Sequence, residues 1–222
     1  GAYTHAGPEI GVARPKAFPA QLKVLLSFAV SLARAKGRID AARANNIHSN
    51  LQALPGLVGK ALGLFDTIRP IAHQLSAAKS ALYLGRGALY PLALEGALKL
   101  KELSYIHAEG FASGEMKHGP IALIEEGLPV VALLAGDSVL TKASSNLREA
   151  SARGGKIILI AEERVAKEVD YADAMIIVPD VDPLLAPILL AVPAQILAYL
   201  TAVEKGTDVD QPRNLAKSVT VE

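Results

Sequence analysis

The chain has 222 residues, 51% of them hydrophobic, a formal net charge of +1 and no cysteine. That length accommodates one large domain, or one domain and a piece of another, around a sizeable core. Scattered lysines and arginines and an aromatic content of 5% argue against nucleic-acid binding, and the lack of cysteine excludes a disulfide framework, thiol catalysis and zinc–thiolate sites.

The first fifteen residues contain glycine and proline and read as a strand end or loop. Residues 16–37, KAFPAQLKVLLSFAVSLARAKG, have helical apolar spacing and end in a basic turn with Gly37, a helix stop. Two more helical stretches, around 41–54 and 57–77, read as connectors because no strand pattern occurs among them. The rhythm changes at Lys79. SALYLGRG (80–87) is a short strand entering a Gly-x-Gly turn, and LEGALKLKELSYIHAEG (94–110) reads as a helix. PVVALLA (129–135), KIILIAE (156–162) and DAMIIVPD (173–180) are further buried-type strands. The helical SVLTKASSNLREASARGG lies between the first two, and a long helix follows Asp182. Apolar strands alternating with helices predict an α/β fold with a parallel, doubly wound sheet that begins near residues 72–79. Leu184–Val203 is twenty residues without a formal charge, long enough to span a membrane. Two prolines, Gln195 and a preceding strand and turn make it a buried helix of the α/β domain instead. The last stretch, KGTDVDQPRNLAKSVTVE, has no apolar periodicity.

The helix of 94–110 carries the sharpest chemical signal. At about 100° per residue, Glu95, Lys99 and Glu102 fall within about 60° of one another. Leu92 and Leu103 flank this stripe on one side, Leu98 and Tyr105 on the other, and Ile106 lies inside it. The opposite side is small (Ala93, Gly96, Ala97, Ser104), as for close packing on a sheet, and Lys101 faces solvent. A carboxylate–ammonium–carboxylate row in such a place is either a structural or interfacial ion network or a base beside a cation that holds developing negative charge. Gly85-Arg86-Gly87 reads as a tight βα turn rather than an anion cradle, since the full dinucleotide fingerprint is missing. His118, in GEMKHGP, is either an exposed loop histidine or a group titrating near neutral pH. The five histidines show no metal-ligand spacing, so neither metal nor cofactor is expected. Lys217, taken alone, is a solvated lysine on a terminus.

Taken together, LGRG…YPLALEGALKLKELSYIHAEGFASGEMKHGP and KGTDVDQPRNLAKSVTVE strongly resemble the isomerase part of the glutamine–fructose-6-phosphate aminotransferase (glucosamine-6-phosphate synthase) family. AGPEIGVARPKAF resembles the last segment of that family's first sugar-isomerase (SIS) domain. The resemblance implies a parallel five-stranded, flavodoxin-like αβα sandwich. It divides the chain into the end of a first SIS domain (1–39), a helical connector (40–71), a complete second SIS domain (72–212) and a catalytic tail (213–222). It also implies a cytoplasmic homodimer that shares active sites, takes a sugar phosphate and, in the intact enzyme, receives ammonia from a glutaminase domain. By the same resemblance Glu102 is the base that moves a proton between sugar C1 and C2, with Lys99 beside it. Glu95, Val12 and Ala13 then line the sugar site. His118, linked to ring opening, comes from the neighbouring subunit, and Lys217 is the isomerisation lysine on a tail that folds over the sugar.

The departures matter equally. Nothing here resembles the glutaminase domain or the Ser/Thr-rich phosphate loop of the first SIS domain, and the start lacks an initiator Met and a signal-peptide pattern. A fragment of a longer chain is therefore expected. The family's Val-Ala-Ser-Thr-Lys-like stretch reads Val12-Ala13-Arg14-Pro15-Lys16, so a bulky cation replaces a pocket serine and Pro15 removes a backbone donor. Two alternatives stand beside this reading: an amino-sugar-phosphate deaminase or isomerase of the SIS type, and a non-catalytic sugar-phosphate-binding module.

Overall fold

The computed structural model describes residues 2–216. Its centre is a five-stranded, all-parallel sheet of β1 (Ser80–Gly85), β2 (His107–Ala112), β3 (Pro129–Leu134), β4 (Lys156–Glu162) and β5 (Ala174–Val178), in spatial order β2-β1-β3-β4-β5. Strands β3 and β4 are buried on both faces because helices cover both. One face is covered by α3 (Phe65–Ser76), α4 (Tyr90–Ser104) and α7 (Ala186–Lys205), the other by α5 (Leu140–Ser151) and the short α6 (Glu163–Ala166). Helices α1 (Ala17–Ala35) and α2 (Ala41–Leu62) pack outside α7. Strand order reverses at β1: the chain leaves it for β2 on one side and returns to β3 on the other. That reversal opens a crevice at the strand ends in doubly wound sheets.

Most predicted elements hold. The helix expected over 16–37 is α1, and the long apolar helix is α7, most of whose residues are buried as a core helix. Two differences are informative. Helix α2 does not stop near residue 54 but runs through Pro55 to Leu62, since Leu51, Leu54 and Ala61 continue its buried face. Helix α4 does not run to residue 110. It ends at Ser104, Tyr105 turns left-handed at φ 61°, and His107–Ala112 forms β2. β2 is an edge strand with His107 exposed and Glu109 and Gly110 only half-buried, so its sequence carries neither a continuous apolar run nor clean alternation. Ile106 is therefore not part of the helical stripe.

The Gly-x-Gly turn after β1 is a packing device. A Cβ on Gly85 would collide with the Leu89 carbonyl, and Gly87 takes φ 57°. Between them Arg86 Nη1 donates to Asn146 Oδ1 at 3.2 Å, pinning the turn to α5.

Candidate active site

Helix α4 positions the charged row. Its inner face is Ala93, Gly96, Ala97 and Ser104, all buried, and the ring of the fully buried Tyr83 in β1 lies directly under Gly96. A Cβ at Gly96 would stand 2.7 Å from Tyr83 Cε1. This close approach seats α4 on the sheet and turns Glu95, Lys99 and Glu102 to one side. Leu94 and Leu98, 44% and 39% exposed, face outward with Lys101, so the outer face of α4 is more apolar than its sequence pattern predicts.

Lys99 is the hub. It is 6% exposed and its Nζ donates to Glu102 Oε2 at 2.7 Å and to the Ala13 carbonyl at 2.8 Å, with Glu95 Oε1 at 3.8 Å. A buried ammonium is tolerated because each of these oxygens replaces water. The two carboxylates are less buried, with side chains 15% and 21% exposed for Glu95 and Glu102. All three open onto a cleft of about 440 Å³ also lined by Ala13, Arg14 and Ala216. On the other side of residues 8–16 lies a second, mainly apolar cleft of about 380 Å³, which Lys99 also touches.

Desolvation holds the Glu95 carboxyl above its ordinary pKa; Lys99 pulls it down less, and Glu102 adds to the rise. The folded chain therefore keeps this proton to higher pH than the unfolded chain, so the ionised carboxylate costs stability above the ordinary carboxylate range. Glu95→Gln is expected to raise Tm at pH 7 by about 1–3 °C, a gain kept small by solvent screening at the open cleft. The gain should vanish below about pH 4, where both states hold the proton. Paired thermal melts at the two pH values check it.

The chain brings Glu95, Lys99, Glu102, Val12 and Ala13 to one cleft. Val12 and Ala13 already have backbone partners there: the Val12 amide donates to the Asp210 carbonyl at 3.1 Å, and the Ala13 carbonyl accepts from Lys99. His118 is elsewhere, on the connection from β2 to β3, where Nδ1 hydrogen bonds with Glu115 Oε2 at 2.8 Å in an exposed pair. Lys217 lies outside the described residues; its neighbour Ala216 lines the cleft. Arg14 takes φ 49° ahead of Pro15, a conformation uncommon for a residue with a side chain. Sequence reasoning missed the tail contacts: Thr207 and Arg213 tie the tail to the end of α4, and the Asp210 carbonyl ties it to Val12. Among the described residues no group of three or more His, Asp or Glu side chains is placed to hold a metal ion.

A flavodoxin-like parallel sheet with a charged row on the first crossover helix defines a class. The family model described as SIS domain matches residues 74–205, and the chain belongs to the SIS domain family. Within it, the chain is 54% identical over 220 residues to glutamine–fructose-6-phosphate aminotransferase [isomerizing] of Zymomonas mobilis, with 99% of this chain covered. It is 51% identical over 219 residues to that of Caulobacter vibrioides, with 98% covered. In both comparisons the chain spans 36% of the relative's length. Among solved structures it superposes on the C-terminal domain of glucosamine-fructose-6-phosphate aminotransferase from Francisella tularensis with TM-score 0.89 and 42% identity, covering 92% of this chain and 58% of that one. Glucosamine-6-phosphate deaminase from Thermotoga maritima, at 22% identity and TM-score 0.61 over 90% of this chain and 56% of that one, shares the fold.

Proposed function

We propose that this chain is the sugar-phosphate isomerase part of a cytoplasmic glutamine–fructose-6-phosphate aminotransferase. In the complete protein it converts fructose 6-phosphate and glutamine-derived ammonia to glucosamine 6-phosphate and water. The observation that carries the proposal is the buried Lys99 held between two less buried carboxylates that open onto a sugar-sized cleft. A purely structural ion network would bury its carboxylates along with the cation, whereas here Glu95 and Glu102 stay open to the cleft beside the buried Lys99, where a carboxylate can reach a substrate proton. For the same reason a non-catalytic binding module is the poorer reading, and the deaminase likeness extends to the fold alone.

In this reading ammonia adds to C2 of the open-chain ketose and the carbonyl oxygen leaves as water. Glu102 then takes a proton from C1 of the resulting imine and returns it at C2. Lys99 fixes the Glu102 carboxylate and offsets the negative charge that develops along C1–C2. Lys217, which follows Ala216 in the chain, is the isomerisation lysine in this reading. Glu95, Val12 and Ala13 bind substrate hydroxyls from the wall of the cleft, and Arg14 reshapes that wall where the family has a serine. His118 serves ring opening in the site of a second copy. The side chains of Tyr90, Leu94 and Leu98, each at least 36% exposed on α4, supply apolar surface for that homodimer.

Mixing subunits tests the shared site. If His118 acts across the dimer, Glu102→Gln and His118→Gln chains, each inactive alone, form mixed dimers in which one site carries both lesions and the other none. Random 1:1 assembly is then expected to restore about a quarter of wild-type activity. No recovery despite proven heterodimer formation would place His118 in its own chain's site.

A further inference from the structure

Tyr105 is an odd residue for its place. It caps α4 at φ 61°, ψ 15°, its amide donating to the Lys101 carbonyl at 3.1 Å. That left-handed position is where glycine or asparagine usually ends a helix, because a Cβ makes it costly. The side chain supplies the reason for the choice. Tyr105 Oη accepts the backbone N–H of Arg213 at 2.8 Å, and the Arg213 guanidinium carbon lies 4.2 Å above the ring centroid.

Two further ties act on the same stretch of tail. Thr207 Oγ1 donates to the Leu103 carbonyl at 2.6 Å, filling an orphan acceptor at the end of α4. The Asp210 carbonyl accepts from the Val12 amide at 3.1 Å. Between them the Asp208 carboxylate accepts the Asp210 and Gln211 amides at 2.9 Å each, stiffening the turn. Leu215 and Ala216 then line the cleft of the charged row. Arg213 and Ala216 are three residues apart, at most about 11 Å of chain, so an anchor at Arg213 confines Ala216 to the neighbourhood of the cleft.

We propose that Tyr105 is a positioning residue: a latch, three residues beyond Glu102 on the same helix end, that holds the stretch from Arg213 to Ala216 beside the proton-transfer cleft. Its catalytic consequence rests on the function proposed above; the latch itself does not. A residue chosen for helix stability alone would be glycine or asparagine here. Tyrosine forgoes that stability for a hydrogen-bond acceptor and an aromatic face aimed at the tail.

The test uses the full-length protein with Tyr105→Gly, Tyr105→Phe and Lys217→Ala, reading Tm, the rate of tryptic cleavage after Arg213, and kcat and KM for fructose 6-phosphate. Loss of one hydrogen bond and one cation–π contact is expected to speed cleavage about tenfold in Tyr105→Gly, less in Tyr105→Phe, which keeps the ring. Tm should not fall in Tyr105→Gly, and kcat should drop with KM moving less. An unchanged cleavage rate in folded Tyr105→Gly and Tyr105→Phe would overturn the latch. Faster cleavage with unchanged kcat, while Lys217→Ala lowers kcat, would overturn its positioning role. Faster cleavage with kcat insensitive to both Tyr105 and Lys217 would support the latch and reject the catalytic reading of the tail.

Discussion

Glu102→Gln in the full-length protein is expected to lower kcat for glucosamine 6-phosphate formation by about 10²–10⁴-fold, the usual contribution of a positioned general base. The amide keeps the size of the side chain and one oxygen that accepts from Lys99 Nζ, now 2.7 Å from Glu102 Oε2, so the cleft should survive. What is lost is the ability to take a proton. KM for fructose 6-phosphate should change far less than kcat, because the substitution removes an interaction realised in the transition state. Steady-state kinetics at saturating ammonia or glutamine check this. Equal loss in KM alone would reduce Glu102 to a binding group.

Lys99→Met is expected to damage both stability and activity. The methylene stem is replaced by a side chain of similar shape, but the Ala13 carbonyl loses its 2.8 Å donor and Glu95 and Glu102 lose the cation between them. One orphaned acceptor and two uncompensated carboxylates cost about 1–3 kcal/mol, discounted because both carboxylates keep some contact with water. For a chain of this size that is a fall in Tm of about 2–10 °C. Without the cation the Glu95 carboxyl, already raised by desolvation, loses the charge that lowers it, so its share of the defect should shrink as pH falls through the carboxylate range. Melts at pH 4 and pH 7 distinguish this from simple loss of packing, which would be the same at both. Activity should fall about 10²-fold or more, as when one stabilising donor is removed from a transition state.

The sequence made the charged row legible because its three members share one helix face, and local periodicity is enough to bring them together. The strands β1, β3, β4 and β5 were equally plain, since each is a short apolar run with glycine, proline or aspartate at one end or both. β2 was not, because an edge strand with His107, Glu109 and Gly110 in it owes its state to pairing with β1 and to nothing in its own pattern. Partners far apart in sequence were likewise invisible. Lys99 meets Ala13 across 86 positions, and Tyr105 meets Arg213 across 108. Val12 and Ala13 entered the candidate site only through family resemblance; the fold supplies the physical reason, a backbone carbonyl that neutralises part of the Lys99 charge. The left-handed Tyr105 could have been suspected from a helix that must end before an edge strand without glycine or asparagine to end it.

The most direct measurement is proton movement itself. Full-length wild-type and Glu102→Gln proteins would be incubated with fructose 6-phosphate in D₂O, and deuterium at sugar C1 and C2 followed by NMR, with sugar binding confirmed by ligand-induced stabilisation. Exchange in the wild type, and its loss in a Glu102→Gln protein that still binds the sugar, is the expected result. Exchange at the wild-type rate in Glu102→Gln would contradict the assignment of the α4 charged row as the proton-transfer site.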